Sequence, residues 1–144
     1  MRCWHKSMIK FLPDMQLKGQ WRECALIARE LKEHGTPNHL LVNKVTEYSI
    51  NNFYSYCCLV WAEMKKRGFT TTAQSEKRII SLNGRIMATS AMFGGWHDNE
   101  YLRVCMANLY EKHHFGVGKS RITDEEWQRL VDGYKAITGE EYKL

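Results

Sequence analysis

The chain has 144 residues, enough for one folded unit with a real hydrophobic core, and its 44% hydrophobic and 12% aromatic content excludes a disordered tail. A net charge of +5 and a pI near 9.0 suit a polyphosphate partner without requiring one. Two prolines and no repeat or low-complexity tract argue against a linker, so one domain over residues 1–144 is expected.

In chain order the pattern is helical throughout. Asp14 is placed to cap a first helix running to about Glu33, with Leu17, Trp21, Cys24, Ala28 and Leu31 as its apolar stripe. His34-Gly35-Thr36-Pro37 ends it. Residues 38–48 show no clear period and read as a loop or a short helix. A second helix, capped by Ser49 or Asn51, carries the stripe Phe53, Tyr56, Cys57, Val60, Trp61 and Met64 and closes at Gly68. Lys65, Lys66 and Arg67 occupy its last turn, where cations suit the helix dipole. A third piece covers about Gln74 to Leu82, and Gly84, Gly94 and Gly95 mark a loop after it. A fourth helix begins near Asp98 with Tyr101, Leu102, Cys105 and Leu109. The last begins at Thr123, where Glu126 completes a capping box, and stops at Gly139. No run alternates as a strand would. The expected fold is all-α, a compact bundle-like arrangement of helices.

Five cysteines without a CxxC spacing argue against a disulfide framework or structural zinc and point to a reducing, cytoplasmic location. The six histidines form no HExxH, and no phosphate-binding glycine motif occurs, so neither metal nor nucleotide cofactor is expected. The first residues lack a signal-peptide core, and no segment reads as a membrane span.

Three features can carry chemistry. Arg2 is too large to permit removal of the initiator methionine, so Met1 is expected to keep a primary α-amine. Such an amine titrates near ~7.7–8, well below lysine at ~10.4, and is a ready nucleophile at neutral pH. Arg22 and Glu23 follow Trp21 of the apolar stripe and therefore turn toward solvent or a cleft. Gly19, one turn before Glu23, leaves space for another group to approach the carboxylate. The third feature is the basic run Lys65, Lys66 and Arg67, available to phosphates. A lone amine or a lone Arg-Glu pair is ordinarily inert surface; their conjunction is what counts.

The segments LKGQWRE (17–23) and NNFYSYCCLVWAEMKKRGF (51–69), with an amine followed directly by arginine, resemble the pyrimidine-dimer DNA glycosylase family over about the first half of the chain. The resemblance implies a repair enzyme for double-stranded damaged DNA that works as a monomer, combining glycosylase and abasic-site lyase activity. It assigns the attacking amine to Met1, the assisting carboxylate to Glu23, and phosphate binding to Arg2 and Arg22. The chain departs from the phage members of the family at three places. Methionine stands where they expose a small polar residue, Leu26 replaces a basic residue, and their aromatic C-terminal tail is not reproduced. Tyr134, Lys135, Tyr142 and Lys143 are candidates to replace that tail. Two other readings remain open on the residues: a lyase for abasic sites or another modified base, and a helical DNA-binding protein without catalysis.

Overall fold

Pro13, rather than Asp14, stands at the head of the first helix in the computed structural model, which describes residues 1–144. Its fixed φ suits that boundary, and α1 runs Asp14–His34. Asp14 leaves the cap because its carboxylate takes the Arg67 guanidinium at 3.0 Å. Gly35, in the left-handed region at φ +75°, closes the helix. The helices that follow are α2 (Ile50–Lys66), α3 (Ala73–Ile80), α4 (Asn99–His114) and α5 (Asp124–Thr138). No strand is present; the molecule is all-α.

Local chemistry accounts for the boundaries. Thr72 caps α3 by accepting from Ser75 N–H, and Asp98 caps α4 by accepting from Tyr101 N–H. The Thr123–Glu126 box at the start of α5 is reciprocal, at 3.0 and 3.1 Å. Four short 3₁₀ turns complete the chain: Lys6–Phe11, Asn43–Glu47, Thr89–Ala91 and Gly118–Ser120. The first has no sequence signature, because six residues at three per turn draw no 3.6-residue stripe.

The apolar stripes converge as their spacing requires. Leu17, Trp21, Cys24 and Ala28 of α1 bury against Phe53, Tyr56, Cys57, Val60 and Met64 of α2. Trp61 is half-buried, its ring 5.5 Å from that of Trp21. Leu102, Cys105, Met106 and Leu109 of α4 and Leu130 and Tyr134 of α5 join the same cluster of 28 buried residues. The core is therefore continuous from the first residues to the last helix. Burying it offsets the ordering of the chain at roughly 25 cal/mol per Å² of apolar surface. α5 is let in close by Gly133, where a Cβ would come within 2.5 Å of the Phe11 ring. No helix is long and apolar enough to cross a membrane.

Candidate active site

Residues 1–5 run without regular structure through the middle of this bundle, and side chains from three helices satisfy their backbone. On α1, Gln20 accepts from Trp4 N–H at 2.8 Å and donates to Arg2 C=O at 2.7 Å. One turn further on, Glu23 Oε2 accepts from Arg2 N–H at 2.7 Å. From α2, Tyr56 donates its hydroxyl to Trp4 C=O at 2.6 Å, and from α4 Tyr101 donates to Cys3 C=O. Buried backbone polar groups must find partners. Here the partners come from three different helices, so the amine at the end of the segment has a defined place.

That place is beside Glu23. The Met1 amine lies 3.9 Å from Oε1, beyond hydrogen-bond range and within ion-pair range. The Glu23 side chain is 32% exposed and that of Met1 17%, so the carboxylate is open to a ligand on one side. The methionine side chain packs against the core cluster.

A cleft of about 220 Å³ opens over Glu23, lined among others by Arg2, Gly19, Gln20, Arg22 and Lys112; Met1 borders Glu23 without lining it. The Arg2 guanidinium lies 4.6 Å from the Trp4 ring centroid, a cation–π stack that directs it along the wall. Arg22 is exposed and folds back over Gly19, whose added Cβ would be 3.8 Å from Nη2. That is ordinary contact, and Gly19 lines the cleft together with Glu23. The cleft thus sets three cations, Arg2, Arg22 and Lys112, around one carboxylate. It can hold an anionic ligand while keeping an amine and a proton acceptor side by side.

Lys112 is invisible to motif reading, because α4 brings it in from 89 positions beyond Glu23. No local pattern marks it. The converse holds for the basic run ending α2. Lys65 is exposed with its ammonium 4.4 Å from the Trp61 ring, and Lys66 is exposed without an ion-pair partner. Arg67 is turned inward: it donates to Leu12 C=O at 2.7 Å and Lys10 C=O at 3.2 Å, and to Glu63 at 2.9 Å. With Asp14 also bound, its donors are committed inside the protein, where Arg67 clamps the first 3₁₀ turn to α2. None of the three lines the cleft. Neither do Tyr134, Lys135, Tyr142 and Lys143: Tyr134 is buried against Tyr142, and Lys135 pairs with Glu141 at 2.7 Å.

Behind the segment sits a buried histidine pair that sequence reading did not single out. His5 Nδ1 accepts from Ser7 N–H and His97 Nδ1 accepts from Lys6 N–H, at 3.0 and 2.9 Å. Both Nε2 atoms are buried without partners. Burial pushes His5 from 6.5 down to about 4; burial, with the charges of His5 and Lys6, pushes His97 down to about 2. Both rings are neutral at physiological pH.

The family model described as pyrimidine dimer DNA glycosylase matches residues 1–77, which span the threaded segment, α1, α2 and the start of α3. Neither the curated proteins nor the solved structures give a match. A match over more than half of the 144 residues, taken with an Arg2–Glu23 junction at its centre, shows that the chain belongs to the pyrimidine dimer DNA glycosylase family.

Proposed function

We propose that the chain excises pyrimidine dimers, or a related damaged base, from duplex DNA and then nicks the strand through a Schiff base on the Met1 amine. The observation that carries this reading is the Glu23 carboxylate, which holds Arg2 N–H with one oxygen and faces the Met1 amine with the other.

The chemistry follows from that pairing. The neutral amine adds to deoxyribose C1′; the glycosidic C–N bond breaks, and the base leaves with the bonding pair and takes up a proton. Opening of the C1′–O4′ bond leaves an imine between C1′ and the Met1 nitrogen. Glu23 removes a proton from C2′, a C2′–C3′ double bond forms, and the C3′–O bond breaks to expel the phosphate. Water then hydrolyses the imine and frees the amine. An amine serves because it attacks while neutral and acts as an electron sink once it is an imine. Glu23 offsets the developing cationic sugar before it acts as a base. Arg2 and Arg22 hold the flanking phosphates bidentately.

Borohydride trapping tests the reading. With untagged protein, an abasic-site duplex and an ultraviolet-dimer duplex are each expected to give a covalent adduct, and blocking the N-terminus abolishes it. Glu23→Gln retains DNA affinity and loses strand cleavage by about 10²–10⁴-fold, the usual worth of a general base. Normal cleavage by that variant removes Glu23 from the mechanism. Absence of any adduct on either duplex, with salt-sensitive binding intact, supports a DNA-binding protein without catalysis.

A further inference from the structure

Two larger hollows lie beyond the cleft, and shared arginines join all three. Arg22 lines both the cleft and a groove of about 630 Å³ between α1, α2 and α3, which also holds Lys18 and Arg78. Arg78 in turn lines the next groove, of about 480 Å³ between α1 and α3, with Arg29, Lys32 and Lys77. On α1 the cations stand at positions 18, 22, 29 and 32, spacings of four, seven and three that keep one helical face. From Lys18 to Lys32 this face extends about 21 Å at 1.5 Å per residue. α3 lays Lys77 and Arg78 alongside it.

These cations are largely uncommitted. Lys32 and Lys77 are exposed; Lys32 reaches only the Ser81 carbonyl, at 3.4 Å. Arg29 spends one nitrogen on Glu30 at 3.0 Å. Glu33 is the one carboxylate lining either groove, against six cations. Adjacent phosphates on one DNA strand lie about 3.4 Å apart along the helix axis, so a 21 Å track spans about six of them.

We propose that the α1–α3 face is a duplex-DNA track, along which Arg29, Lys32, Lys77 and Arg78 bind the backbone of the arm leading away from the lesion. This rests on the reading of the cleft as a DNA-processing site, since the track leaves from it. It also relocates the basic surface from the end of α2, where the cations are adjacent in sequence, to a face where they are adjacent in space. The track reads no bases; it supplies affinity and sets the direction in which the duplex crosses the cleft.

The test measures binding of the full chain to an undamaged 25-base-pair duplex by fluorescence anisotropy over a range of salt, independently of any chemistry. The triple variant Arg29→Gln/Lys32→Gln/Lys77→Gln is expected to lower the salt slope by about 2.7, at ~0.9 per phosphate released. A control triple, Lys44→Gln/Lys119→Gln/Lys143→Gln, removes the same charge from exposed positions off the track. It is expected to change the slope by less than about one. A circular-dichroism melt checks both folds, and if the first triple melts early, Lys77→Glu alone carries the test at an exposed site. An unchanged slope, or an equal fall in the control, overturns the track. A falling slope together with absent borohydride trapping by the wild type keeps the track and rejects the proposed chemistry instead.

Discussion

Residues 1–77 hold the Met1 amine, Glu23 and the two arginines beside them, and they are the part that the family model matches. Residues 78–144 lie outside that match, yet they hold much of what decides where the amine sits. Tyr101 of α4 binds Cys3 C=O, His97 binds Lys6 N–H, and Lys112 and Ser120 close the cleft opposite Glu23. Reacting groups have to satisfy chemistry, which demands particular residue types at particular positions. Supporting groups have only to supply a donor or acceptor at a point in space, and many sequences can do that. The first half is accordingly recognisable and the second is not, although the proposed site needs both.

The largest effect that can break this division is expected within the first half, at Gln20. Its amide is 1% exposed and serves Trp4 N–H and Arg2 C=O together. Gln20→Ala leaves two backbone groups unpaired at about 1–3 kcal/mol each. A stability loss on the order of 3 kcal/mol is expected by urea denaturation. Single-turnover cleavage should fall about 10²-fold, as a ~1 Å misplacement of reacting groups costs. Gln20→Glu keeps the acceptor for Trp4 and loses the donor for Arg2, so it should fall between. Full cleavage by Gln20→Ala would show that the amine's position is set elsewhere.

Acid sharpens the comparison, because His5 and His97 join the two halves. Unfolded, both histidines take protons near 6.5, whereas folded they resist down to about 4 and about 2. Their native pKa values are depressed, so stability is full above pH 6.5 and is lost as the pH falls through the window below it. The slope is at most about 1.4 kcal/mol per pH unit for each ring. Between pH 6.5 and 5 carboxylates contribute little, and urea midpoints there should fall steadily. His97→Gln should flatten part of that fall, and a pH-independent midpoint in the wild type over this range contradicts the account.

A smaller loss is expected from Tyr101→Phe, which removes one hydroxyl bond to the first half and keeps the ring stacked on His5. It orphans the Cys3 carbonyl and should cost about 1–2 kcal/mol. If the second half positions the amine, cleavage falls as well, with affinity for DNA unchanged. A loss of stability with normal cleavage would make α4 a scaffold and nothing more.

Much of the fold was legible because helical signals are local. The stripe Leu17–Trp21–Cys24–Ala28, the Thr123–Glu126 box and the Gly35 and Gly139 stops each need only a few neighbouring residues, and each stands where its spacing puts it. Asp14 misled because a distant arginine outbid its own helix for the carboxylate. The site divides in the same manner. Glu23 beside the amine is what the family resemblance implies, but Gln20, Tyr101 and Lys112 depend on helices packed from residues 19 to 111 positions away from Met1, and nothing in their surroundings announces it. Arg67 is the clearest case. In the sequence it is one of three equivalent cations, and only the tertiary structure shows that it is bonded to the carbonyls of residues 10 and 12.

Lys66 offers the smallest expected effect and the sharpest contrast with that neighbour. It is exposed, makes no ion pair, and stands on neither the cleft nor the two basic grooves. Lys66→Ala should therefore leave stability within about 0.5 kcal/mol of the wild type, as surface substitutions away from special features do. Its effect on the salt slope of duplex binding should stay below one charge, whereas Lys77→Gln on α3 should take away nearly a full unit. Both residues are exposed lysines, so general charge treats them alike and only location separates them. Equal slopes for the two variants would mean that DNA senses the net charge of +5 and not the face that α1 and α3 build. Unequal slopes in the opposite sense would return the DNA surface to the end of α2, where the adjacent cations of the sequence first suggested it.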